Sequence, residues 1–126
     1  MKKFLLIPLI TFFFFAFKTQ TDAEALVKAL KNAEAGQVAS YFDKILDIKF
    51  PEKEEIKSIG KNQAGIALRS FFTENNINGF ELTSQREMGG TMYITGKLLN
   101  DGKGHNVTLL LKSKDDKLQI ITVRIT

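Results

Sequence analysis

Residues 58–76 read Ser58-Ile59-Gly60-Lys61-Asn62-Gln63-Ala64-Gly65-Ile66-Ala67-Leu68-Arg69-Ser70-Phe71-Phe72-Thr73-Glu74-Asn75-Asn76. Ala64, Ala67, Leu68, Phe71 and Phe72 follow the i, i+3, i+4, i+7, i+8 spacing of a helix that buries one face. The stretch predicts one amphipathic helix with its bulkiest side chains at the far end, closed by Asn75-Asn76 and Gly79. Gly65 lies inside it, where glycine costs about 1 kcal/mol relative to alanine. Close approach to the first helix of the chain is expected to offset that cost. The chain beyond this helix patterns as strand, and the chain before it as two helices and a short hairpin. A sheet folded around one long helix is therefore the expected architecture.

Upstream, Asp22 to about Ala35 carries a helical stripe of Ala23, Leu26, Val27, Leu30 and Ala33, with Lys28 and Lys31 on the solvent side. Thr21-x-x-Glu24 fits a capping box. Gly36 fits the residue just past a helix end, where a positive φ costs glycine nothing. A short helix over Gln37–Phe42 comes next, then Leu46, Ile48 and Phe50 alternate with Asp47 and Lys49, the period of a half-buried strand. Pro51 stops that strand, Glu52–Glu55 makes a charged turn, and Ile56–Ile59 predicts its partner.

Downstream, Phe80, Leu82, Ser84 and Arg86 alternate with Glu81, Thr83, Gln85 and Glu87, and Gly89-Gly90 forms a tight turn. Met92, Ile94 and Leu98 continue on a second strand that Gly96 bends or bulges. Asp101-Gly102 predicts a hairpin turn before Val107–Leu111, and Asp115-Asp116 leads into Leu118–Ile125. The fold class is α+β in the order α-α-β-β-α-β-β-β-β. Leu109-Leu110-Leu111 and Ile120-Ile121 are apolar on both faces, which requires cover on both sides. Helices on one face and a second copy on the other predict a homodimer through the sheet face.

The N-terminus has a separate character. Met1-Lys2-Lys3 is basic and Phe4–Phe17 is apolar apart from Pro8 and Thr11. Fourteen residues are too short for a bilayer, which takes about 20 in a helix. The pattern is that of a secretory signal peptide over residues 1–20 ahead of a single domain over 21–126, and it predicts an exported, periplasmic or extracellular protein. Contact with a membrane is expected only through an uncleaved leader. The formal charge of +4 comes largely from that leader. Without Lys2, Lys3 and Lys18, 15 Lys and Arg stand against 14 Asp and Glu, a net charge of +1, which argues against nucleic acid as a partner. No cysteine is present, so neither a disulfide nor a lipoprotein anchor is available and the core alone must hold the fold.

Several local features fit one family. A helix closes near Gly36 and a short one ends on Tyr41-Phe42-Asp43. Gln63-Ala64-x5-Ser70-Phe71-Phe72 ends the long helix, Tyr93-Ile94-Thr95-Gly96-Lys97-Leu98 makes a strand, and the chain closes on Ile120-x3-Arg124-Ile125. Over about residues 21–126 this resembles a small family of exported bacterial proteins of unknown function with the nuclear-transport-factor-two-like fold, also called ketosteroid-isomerase-like or cystatin-like. The resemblance implies a cone, in which a strongly bent antiparallel sheet wraps helices and leaves a pocket in its mouth. It implies the fold far more firmly than any activity.

Enzymes of that broader superfamily use carboxylates and a tyrosine within the cone, with a carboxyl group tuned by apolar surroundings. Asp43, Asp47 and Tyr41 are the candidates here, weighed against simple solvent exposure on the polar face of a strand. The pocket candidates are Tyr41, Phe42, Phe71, Phe72, Phe80, Arg86, Met92 and Tyr93, a set that also serves as core. Arg86 shares parity with Phe80 and Leu82, which aims it at the wide end of the cone, toward an anionic ligand or a glutamate partner. Arg69 and Arg124 are further charges of interest. His105 is the only histidine, and with no cysteine it offers no metal-ligand spacing, so neither metal nor cofactor is expected. Asn106-Val107-Thr108 matches a glycosylation acceptor by three residues only. The leading expectation is a non-enzymatic binder of a small apolar ligand or a partner protein. The alternative is a small cofactor-free lyase or isomerase.

Overall fold

A computed structural model describes residues 22–101 and 103–126; the predicted leader and the Thr21 half of the capping box lie outside them. The first helix, α1, covers 22–31, and its stripe of Ala23, Leu26, Val27 and Leu30 is buried. It stops earlier than the sequence pattern suggests. Ala33, with φ +54, takes the left-handed position after the helix. The Glu34 N–H donates to the Ala29 carbonyl and the Ala33 N–H to the Leu30 carbonyl, the paired bonds of a Schellman motif. Gly36 instead lies inside α2 (Ala35–Ala39). A side chain there would meet the Arg69 guanidinium, 3.2 Å from where its Cβ would sit. Because alanine is strained at positive φ, Ala33→Gly is expected to raise stability by about 0.5–1 kcal/mol, a rise of roughly 2–6 °C in thermal midpoint. A circular-dichroism melt measures it.

α3 spans Lys61–Glu74. The strand expected over Ile56–Ile59 is β2 (Ile56–Gly60), so Ser58–Gly60 belong to it and not to the helix, with Ile59 paired to Leu46 and Gly60 to Ile45. Ala64, Leu68, Phe71 and Phe72 are buried as the periodicity requires. The helix ends in a second Schellman motif, with Asn76 at φ +50 and the Ile77 N–H bonded to the Phe72 carbonyl. Gly65 does face a helix, but it is α2 and not α1: a Cβ there would lie 3.3 Å from the Ala39 Cβ.

The six strands are β1 (Phe42–Lys49), β2, β3 (Gly79–Met88), β4 (Thr91–Asn100), β5 (Lys103–Lys114) and β6 (Lys117–Ile125). They form one curved, unclosed sheet in the order β2-β1-β6-β5-β4-β3. Every pairing is antiparallel except β1 with β6, which is parallel. Gly89 and Gly90 turn β3 into β4 with positive φ at both positions, and Asp115 and Asp116 do the same between β5 and β6, the pattern of type I′ turns. Phe42, Ile48, Ile94, Leu98, Leu109, Leu111, Ile120, Val123 and Ile125 point inward and join the buried stripes of the three helices in one core. The bend expected at Gly96 is built on the neighbouring strand. β3 carries one extra residue, Thr83, opposite the Thr95–Gly96 step, and the Phe80 ring lies over the place of the missing Gly96 side chain.

The outward face carries Tyr93, Thr95, Leu110, Thr108 and Thr122 by register. Leu110 and Ile121, the apolar residues that suggested a covered face, are half-buried. Thr95, Thr108 and Thr122 share this face with Leu110 by register.

Candidate functional site

One open cleft of about 950 Å³ stands out. The end of β1 and the turn after it supply one wall. There the Lys53 N–H donates to the Phe50 carbonyl, with Pro51 second and Glu52 third at φ +61, the pattern of a type II turn. α3 supplies the opposite wall through Ala67, Ser70, Phe71 and Glu74, and β5 adds His105. Phe71 sits at the centre. Its ring centroid is 5.4 Å from that of Phe50, tilted, and 5.4 Å from that of His105, edge-on, the separations aromatic pairs favour. The end of α3 is fixed beside the cleft by amides: Asn75 Nδ2 donates to the Phe71 carbonyl at 2.9 Å, and Asn100 Nδ2 to the Asn75 carbonyl at 3.0 Å. Lys49, Lys53, Glu52 and Glu74 ring the apolar centre. The site can therefore hold an apolar body and leave polar groups at its edge.

Of the eight pocket candidates, only Phe71 lines this cleft. Phe42, Phe72, Phe80 and Met92 are core residues, and Tyr41 packs half-buried against them. Tyr93 and Arg86 are exposed and face each other across β3 and β4 on the outward side of the sheet. The parity that aimed Arg86 into the cone is reversed by the bulge at Thr83. Arg124, also outward, pairs with Glu55 at 3.4 Å. Phe50 and His105 are the central cleft residues that sequence pattern alone did not bring forward. Phe50 read as the last apolar position of a strand and His105 as a lone histidine without metal-ligand spacing.

The acid–base candidates lie apart from the cleft. Asp43 is the second residue of β1 and Lys49 its last, six residues or about 20 Å apart along a strand. Asp43 Oδ2 receives a hydrogen bond from Lys114 Nζ at 2.6 Å, and that bond holds its carboxyl below the ordinary value of 3.8, with partial burial opposing. A general base working near neutrality needs the opposite shift. Asp47 Oδ1 accepts from the Ser58 N–H at 2.9 Å and so joins β1 to β2. Partial burial and the nearby Asp22 carboxylate push the Tyr41 hydroxyl above its usual range. Among the described residues no group of His, Asp and Glu side chains is close enough to hold a metal ion.

The Asp43–Lys114 contact makes a pH prediction. A depressed native pKa means the folded state binds fewer protons. The pair therefore adds stability above about pH 4, and that contribution is lost as pH falls through the lower native value. Asp43→Asn is expected to melt below the parent near neutral pH, with the gap closing in acid. Thermal melts of both proteins across pH check this.

The sequence profile of a domain of unknown function, DUF4783, matches residues 23–126. The chain belongs to the DUF4783 family. Solved structures of similar shape agree. A DUF4783 protein from Bacteroides ovatus has a TM-score of 0.72 at 22% identity, covering 80% of this chain and 90% of the other. One from Bacteroides uniformis has a TM-score of 0.73 at 19% identity, covering 81% and 93%. An NTF-2-like protein of unknown function from Burkholderia xenovorans has a TM-score of 0.65 at 15% identity, covering 88% and 83%. At these identities the likeness is one of fold, so this DUF4783 chain has an NTF2-like architecture. A search of curated proteins found no match.

Proposed function

We propose that this DUF4783 chain is an exported, non-enzymatic binding module whose cleft over Phe50, Phe71 and His105 takes a small ligand with an apolar body. The observation that carries this reading is the pair of aromatic contacts about Phe71 inside a concave, partly apolar space. Its volume is that of small-molecule sites, about 300–1,000 Å³. The lyase or isomerase reading needs a cavity that contains a carboxylate and a tyrosine hydroxyl together, and the cleft is lined by Glu52 and Glu74 without a tyrosine. Export rests on the basic start and short apolar core of residues 1–17.

Native mass spectrometry of protein purified from its exported fraction tests both parts. A retained apolar small molecule together with a mature N-terminus near residue 20 supports the reading. A ligand-free protein that binds no apolar probe and keeps Met1 overturns it.

A further inference from the structure

β3 ends the sheet on its side, and among the described residues nothing pairs with its free edge. Eight consecutive residues, Glu81 to Met88, are exposed, although β4 pairs with nearly all of them. Leu82 and Met88 leave 38% and 58% of their surface open. A long strand with unpaired N–H and C=O groups is a template for another strand.

The bulge decides which side chains share a face of that edge. Glu81 lies opposite Lys97 and Arg86 opposite Tyr93, all outward, while Leu82 opposite Gly96 and Gln85 opposite Ile94 face inward. In an unbroken strand Glu81 and Arg86, five residues apart, would point to opposite faces. With Thr83 as the extra residue they share one face and stand symmetrically about Ser84.

We infer that two copies of the chain join edge to edge through β3, antiparallel, about a two-fold axis at Ser84. In this register Glu81 of each copy faces Arg86 of the other, Leu82 faces Gln85, and Glu87 faces Phe80. No like charges meet, which is what an antiparallel pair requires. The occupant is a second copy because the segment is complementary to itself. Charges that merely blunt an edge need no such symmetry. A strand-to-strand contact is small beside the roughly 1,200–2,000 Å² of a standard interface, so the dimer is weak and dissociates on dilution. It uses none of the cleft residues and stands or falls independently of the ligand reading.

The absence of cysteine from the chain makes a direct test available. Facing residues of antiparallel strands have Cα atoms about 4.5–5.5 Å apart, inside the roughly 4.4–6.8 Å that a disulfide spans. Ser84→Cys is expected to oxidise to a covalent dimer much faster than Thr73→Cys, on the exposed side of α3. For the protein without cysteine, sedimentation equilibrium at up to roughly 100 μM is expected to show a dimer, weakened about tenfold or more by Arg86→Glu or Glu81→Arg. The double charge swap restores it. Three results overturn the inference: a monomer throughout, equal cross-linking at positions 84 and 73, or a dimer abolished by Leu110→Lys on the outward face yet unmoved by the β3 charge variants.

Discussion

Gly96→Ala is expected to lower the stability of the domain by about 3 kcal/mol, a fall of roughly 12–18 °C in thermal midpoint. The substitution looks mild, since alanine fits an extended backbone without strain. The cost comes from space. Gly96 is buried in the middle of β4, and a Cβ there would run into the Glu81 carbonyl oxygen and the edge of the Phe80 ring. The carbonyl belongs to the adjoining strand and cannot swing away. The ring is itself buried and has no empty space to enter. Overpacking of this kind costs about 1–3 kcal/mol when a side chain can yield, and here backbone is one of the two obstacles. A thermal or urea melt reads the effect. Phe80→Leu in the Gly96→Ala background is expected to recover a good part of the loss, although Phe80→Leu alone destabilises, because two residues competing for one space are not additive. A Gly96→Ala protein melting within about 2 °C of the parent would refute the packing account.

Phe71→Ala is expected to cost a further large amount, about 3 kcal/mol, and to empty the cleft. Phe71 and Phe72 are neighbours in α3 and are nearly equally buried, at 8% and 6% exposure. A loss of stability alone therefore cannot tell them apart. Only Phe71 presents its ring to the cleft, against Phe50 and His105. The informative comparison uses the milder Phe71→Leu and Phe72→Leu, which keep most of the core volume. Binding of an apolar fluorescent probe, or of the molecule that copurifies, is expected to fall with Phe71→Leu and with His105→Ala and to survive Phe72→Leu. Equal losses at 71 and 72 would show that the readout tracks stability and not the cleft.

Most of the fold was legible because periodicity and turn chemistry are local. The α3 stripe, the Gly89-Gly90 turn and the alternation of β4 each announce themselves within a dozen residues. Three features were not legible. The end of α1 fell at Ala33, an alanine held at positive φ by its hydrogen bonds, while Gly36 marked the passage of the Arg69 side chain. The facing of Arg86 depended on one inserted residue at Thr83, and a shift of one position exchanges the two faces of a strand. The parallel pairing of β1 with β6 joins segments from opposite ends of the domain, and no local pattern encodes it. The site was the least legible part. Its aromatic centre is assembled from a turn, a helix and the start of a strand separated by more than 50 residues, and although Phe71 was a pocket candidate, neither Phe50 nor His105 carries a motif.

The parallel pair has one more consequence, in time. β6 comes after every other strand in the chain, yet it lies in the interior of the sheet, between β1 and β5. The β1–β2 hairpin and the β3–β4–β5 meander have no common edge until β6 lies between them. Without the residues from Lys117 onward, β1 and β5 share no strand edge. Contacts so far apart in sequence form slowly, on the millisecond-to-second scale typical of sheet-rich domains. The domain is closed by its final strand, in the manner of a keystone set last.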